Sequence, residues 1–170
     1  DDLLITLPDR GRRRRGDDRG RSGGLRYPSD ISWGEHHQGD IENLSVQRAG
    51  NTLRIVLRLR GMTQFWNPPN GFDHVAVTAF LQLPERAGGS TLMPQQNGSL
   101  PEGMRWHYRM RTHGWSNAWF SAEGADAASE GRVSSPGAQV VADAGARTPT
   151  ITIPAKALDN PASLSGIKLI

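Results

Sequence analysis

From Leu53 to Arg60 the chain reads Leu-Arg-Ile-Val-Leu-Arg-Leu-Arg, with Leu53, Ile55, Leu57 and Leu59 on one face and Arg54, Val56, Arg58 and Arg60 on the other. A period of two fits a strand with one side in a core and the other in water; a helix would scatter these leucines around its circumference. Val75, Val77, Ala79, Leu81 and Leu83 repeat the pattern, and Phe80 on the opposite side predicts burial on both faces. Trp106, Tyr108 and Met110 alternate with His107, Arg109 and Arg111. Shorter candidates lie at 3–7, 41–47, 115–122, 138–142, 150–153 and 167–170. Turn signals separate these runs at Gly50-Asn51, Pro68-Pro69-Asn70-Gly71, Gly88-Gly89, Pro136-Gly137 and Asn160-Pro161. Only 155–159, after Pro154, reads as a helical turn. About eight or nine strands spaced this way predict an all-β chain, an antiparallel β-sandwich of jelly-roll or immunoglobulin-like kind. With no internal repeat and no long linker, one domain over residues 1–170 is expected.

The formal net charge of +3 is unevenly placed. Residues 10–26 hold eight arginines against Asp17 and Asp18, so the remainder is mildly acidic. Arginines at this density repel one another and resist burial, which predicts an exposed Arg/Gly-rich loop at about 9–26. Such a loop is either simply solvated or, through Arg12, Arg13, Arg14 and Arg15, meets an anionic polymer or a cell or membrane surface. A nucleic acid is a poor partner for the acidic remainder. The absence of cysteine excludes disulfide scaffolds, thiolate metal sites and a cysteine nucleophile. No apolar run approaches the about 20 residues of a membrane-spanning helix. The chain starts at Asp1 and stops at Leu169-Ile170 within an apolar run, from which we expect a processed or excised fragment, one module of a longer chain.

Catalysis has little local support. His36, His37, His74, His107 and His113 accompany many serines without a Gly-x-Ser-x-Gly elbow. Asp40, Glu42, Asp73 and Glu102 could be nominated as paired carboxylates, but lack a distinguishing spacing. No catalytic residue is therefore expected. Asp17 and Asp18 in a glycine-containing loop, with Asp40 later, suit the hard-oxygen preference of calcium; charge balance with neighbouring arginines explains the same acids. Five tryptophans are present, and Trp66 lies in the turn-rich Gln64-Phe65-Trp66-Asn67-Pro68-Pro69-Asn70-Gly71. Trp115 and Trp119 flank Ser116-Asn117. An exposed indole beside amides stacks on the C–H face of a sugar while the amides bind its hydroxyls; a loop indole can also fold back as a lid. Trp66, Asn67, Asn70, Trp115, Asn117 and Trp119 are accordingly the candidate carbohydrate contacts.

Several segments, in order, resemble one family. Gly16-Asp-Asp-Arg-Gly-Arg-Ser-Gly-Gly-Leu-Arg-Tyr-Pro28 resembles the GDDxGxGxYxYP opening of the C-terminal domain of bacterial glucodextranases, also found on amylopullulanases. Gly39-Asp40-Ile41 resembles its acidic strand entry, and Phe65-Trp66-Asn67-Pro68-Pro69-Asn70-Gly71-Phe72 its NPWNxxNGxS loop. Trp106-His-Tyr108 with His113-Gly114-Trp115 resembles its WDY…EGW pair, and Thr152-Ile153-Pro154-Ala-Lys-Ala-Leu158 its late I-P-x-x-x-L element. His107 stands where that family tends to carry Asp, so no role transfers to it. The resemblance implies a β-sandwich like family 9 carbohydrate-binding modules and DOMON domains. It implies a non-catalytic accessory module of a secreted, periplasmic or cell-surface bacterial protein, with polysaccharide, of α-glucan type, as partner and a catalytic domain in the same chain. It further implies calcium at Asp17, Asp18 and Asp40, and sugar contacts at Trp66, Asn67, Trp115 and Asn117. DOMON domains that hold haem offer a further alternative, for which Met62, Met104, Met110, His107 and His113 supply the residue types.

Overall fold

The computed structural model describes residues 2–5, 17–19, 23–24, 26–33 and 36–170. The strands are β1 (Asp2–Ile5), β2 (Ile41–Ala49), β3 (Thr52–Leu59), β4 (Val77–Gln82), β5 (Leu92–Met93), β6 (Gly98–Ser99), β7 (Tyr108–His113), β8 (Ser116–Ser121), β9 (Arg132–Val133), β10 (Gln139–Asp143), β11 (Thr148–Pro154) and β12 (Lys168–Leu169). Short 3-10 turns occupy Asp17–Arg19 and Ala155–Leu158. One sheet runs β1-β2-β3-β11-β10, a second runs β12-β4-β7-β8-β9, and β5-β6 form a small hairpin. All paired strands are antiparallel. The expected antiparallel β-sandwich is the observed fold.

The alternating leucines act as their spacing requires. Leu44 faces Leu57 and Val46 faces Ile55 between β2 and β3; Ile151 and Ile153 continue the rows on β11. From the second sheet, Ala79, Leu81, Tyr108, Met110 and Trp119 meet this face in one buried core. Burying each of the large aliphatic side chains contributes about 1.5–3 kcal/mol before the entropy cost of ordering the chain.

Phe80 points the other way, and the two-sided burial expected of it is present. With Leu100 and Trp106 it forms a second apolar cluster on the outer face of the second sheet. Trp106 therefore does not continue the inward set of Tyr108 and Met110; it belongs to the layer outside the sheet. Arg109 is buried in this layer, its guanidinium carbon 4.9 Å from the Phe120 ring centroid and 5.9 Å from those of Phe80 and Trp106. An ion pair with Glu130 and a 3.2 Å hydrogen bond to the Pro94 carbonyl satisfy this charge. A buried cation needs such partners, since desolvation alone is costly.

Candidate functional site

At one end of the sandwich, the 60–76 connection between β3 and β4 packs against the β7–β8 turn. Asn70 ties the two together. Its backbone N–H donates to the Gly114 carbonyl at 2.9 Å, and its side-chain amide donates to the His113 carbonyl at 2.6 Å and to Asn117 Oδ1 at 3.1 Å. Thr112 Oγ1 also donates to Asn117 Oδ1, at 2.6 Å. The approach is close enough to require glycine at 114, where a Cβ would lie 2.4 Å from the Phe72 carbonyl oxygen and 2.8 Å from Pro68 Cβ.

This junction presents two indoles to solvent. Trp66 is 56% exposed and Trp115 51%, with ring centroids 6.1 Å apart and planes inclined by 40°. Exposed Phe65, next to Trp66 in sequence and edge-on to His74, adds to the apolar surface. One face of Trp66 thus stays open to solvent, while the other lies over the loop that carries it. Asn67 is exposed beside it, with φ 47°. Asn70 and Asn117 lie against the turn that carries Trp115. The sequence-named set Trp66, Asn67, Asn70, Trp115 and Asn117 is therefore assembled at one end of the molecule.

Trp119 is a correction. It is 4% exposed, stacks on Tyr108 at 5.5 Å and 9°, and donates from Nε1 to the Ala157 carbonyl at 3.1 Å. Strand alternation turns it inward opposite Met110, so it serves the core and not a ligand.

Beneath Trp66 lies a polar network that the sequence did not mark. His74 is buried and stacks under the indole at 4.1 Å and 17°. His74 Nδ1 is 2.5 Å from Asp73 Oδ1, and Nε2 is 2.8 Å from Ser32 Oγ. Asp73 also accepts from Thr63 Oγ1 at 2.6 Å and from the Trp66 backbone N–H at 2.9 Å. Burial pushes the Asp73 carboxyl up, but hydrogen bonds from Thr63, Trp66 and His74 outweigh it and hold the group below the usual carboxylate range. Ser32 donates to Asp30 Oδ1 at 2.5 Å, and its hydroxyl and amide hold Asp30 below that range as well.

Beyond this end, Asp18 accepts from the Tyr27 hydroxyl at 2.8 Å and sits 2.9 Å from His37 Nδ1, both contacts falling on Oδ2. Its Oδ1 is buried without a hydrogen-bond partner. Burial raises the Asp18 carboxyl, and the His37 and Tyr27 contacts more than reverse this. Gly39 donates its N–H to Tyr27 at 3.0 Å and brings Asp40 next to the group. Asp40 Oδ2 lies 3.4 Å from Arg60 Nη1. The unfilled Asp18 oxygen suits a hard cation, although among the described residues no three His, Asp or Glu gather into a metal-holding group. The Asp17 side chain and Arg12, Arg13, Arg14 and Arg15 lie outside the described residues.

The other sequence candidates separate. Glu42 pairs with Arg58 and Arg147, Asp73 is under Trp66, and Glu102 is exposed on a turn. Of the haem candidates, His107 precedes β7 and His113 ends it, six residues apart along extended chain, or about 20 Å, so the two histidines do not flank one iron. Met110 is buried between the sheets and Met104 packs with the outer cluster, so the set does not converge on one iron.

No curated protein matches the chain. One family model does, over residues 13–169: the C-terminal binding-module, SLH-like, of glucodextranase. That match spans nearly the whole sandwich, from the acidic opening through Trp66 and Trp115 to β12, and the chain belongs to the family of glucodextranase C-terminal binding modules.

Proposed function

We propose that this module binds a polysaccharide of α-glucan type across Trp66 and Trp115, as the non-catalytic accessory of an exported or cell-surface glycan-processing enzyme. The observation that carries the reading is the pair of half-exposed indoles, 6.1 Å apart, beside the amides of Asn67, Asn70 and Asn117. Indole faces supply apolar area for sugar C–H groups, and amides both donate to and accept from hydroxyls. Rings inclined by 40° stack on successive units of a chain that turns, which favours an α-linked glucan over a flat ribbon. Membership of a binding-module family supports the accessory role. Affinity electrophoresis and calorimetry against dextran, starch and pullulan test it: Trp66→Ala should weaken retention about tenfold or more, as loss of a central aromatic anchor does. Absence of binding to every glucan by the unaltered protein would sink the reading.

Calcium is the cation we propose for the acidic opening, held by Asp17, Asp18 and Asp40. Asp18 Oδ1 is the donor in the structure that supports it. Bound calcium would draw the Asp17–Arg19 turn toward the β2 entry and offset the carboxylate charge there. A calcium-dependent rise in the unfolding midpoint, lost in Asp18→Asn, is the expected result; indifference to calcium and to chelator would refute the site.

A further inference from the structure

We infer that His74 is the positioning residue of the binding platform, setting the plane of the Trp66 ring from beneath through Asp73 on one side and Ser32 on the other. The inference rests on the reading of Trp66 as a ligand contact. An exposed indole can rotate about two side-chain torsions, and ordering it on binding costs affinity; a ring fixed beforehand avoids that loss.

The geometry fixes it from several directions. The imidazole lies nearly parallel to the indole at 4.1 Å, and its side chain is 0% exposed. Trp33 and Phe65 meet the imidazole edge-on, at 4.6 Å and 80° and at 5.7 Å and 77°, which closes the space for turning. Ser32 has one hydroxyl hydrogen, and Asp30 Oδ1 takes it at 2.5 Å, so Ser32 Oγ faces Nε2 as an acceptor. Asp73 also holds the Trp66 backbone N–H, so ring and main chain of Trp66 hang from one carboxylate. His74 has φ 64°, a left-handed backbone unusual for a side chain of this size and retained where surrounding contacts over-determine it.

Ser32, His74 and Asp73 share the connectivity of a nucleophile, base and orienting acid, yet the surroundings favour positioning. The Ser32 hydroxyl hydrogen is engaged by Asp30, and the backbone N–H groups of Ser32 and Trp33 both turn to Asp30. Neither remains to stabilise an oxyanion, and the indole roofs the imidazole.

Two variants test the inference. His74→Asn tolerates the left-handed backbone and keeps an amide near Asp73 while removing the ring. Ser32→Ala removes the partner of Nε2, together with the hydroxyl donor to Asp30, from a half-buried position, and decides the matter if the first variant does not fold. In both, the fluorescence belonging to Trp66, identified by its loss in Trp66→Phe, should rise in intensity and fall in anisotropy. Dextran or pullulan affinity should drop about tenfold in His74→Asn and about threefold in Ser32→Ala, with the unfolding midpoint of Ser32→Ala little changed. Unchanged Trp66 emission in the folded variants overturns the inference. So does undiminished glucan affinity in His74→Asn when Trp66→Ala has lost it. A change in emission without glucan binding by the unaltered protein refutes the ligand reading and leaves the positioning role in place.

Discussion

Both tyrosines of the chain turn their hydroxyls onto an aspartate, Tyr27 onto Asp18 at 2.8 Å and Tyr108 onto Asp159 at 2.6 Å. Burial first, and then the neighbouring carboxylate, push each phenol up to about 12. An unfolded phenol ionises near 10, so the unfolded chain loses these protons first. Their contribution to stability is therefore complete below about pH 10 and is lost as pH rises through about 12. Tyrosinate absorbance in the native protein should stay low past pH 11, then rise together with unfolding; an ordinary titration near 10 with the fold intact would contradict these contacts. At this scale the sequence was legible where exposure followed from local chemistry, as for Trp66 among Pro, Asn and Gly. It was not legible for Ser32 and His74, whose contact spans 42 positions and leaves no trace in either neighbourhood.

The elements read from sequence are those long enough to display a period. β2, β3, β4, β10 and β11 all follow their alternating aliphatic residues. β5, β6 and β9 have two residues each, too few to alternate. The polar neighbours Ser116 and Asn117 give Trp119 the local look of a surface residue, whereas pairing opposite Met110 decides which way it points. The β7–β8 turn joins element to site, and Gly114 is where that junction is most sensitive. In Gly114→Ala the new methyl must displace Phe72 or Pro68, moving the loop that carries Asn70 and Trp66. We expect a loss of about 1–3 kcal/mol in urea unfolding, as for other overpacked sites, together with weaker glucan retention. Equal stability and retention would show that the loop yields without consequence.

For the molecule as a whole, the positive formal charge misleads about the sandwich. The arginines of 10–26 account for it, whereas Arg58, Arg60, Arg109 and Arg111 in the sandwich each meet a carboxylate. If calcium joins the acidic opening to β2, its effect is global, because a ligand of the folded state shifts the entire unfolding equilibrium. At about 100 times its dissociation constant the gain is about 2.7 kcal/mol, or about 5–10 °C in the unfolding midpoint for a chain of this size. Differential scanning calorimetry with calcium and with chelator measures that difference directly. The second sheet ends on both sides in two-residue strands, β12 and β9. So short a border offers few open backbone donors and acceptors for another copy to extend. If such modules bind side by side on one polymer, neighbouring copies find little along this sheet to zip together.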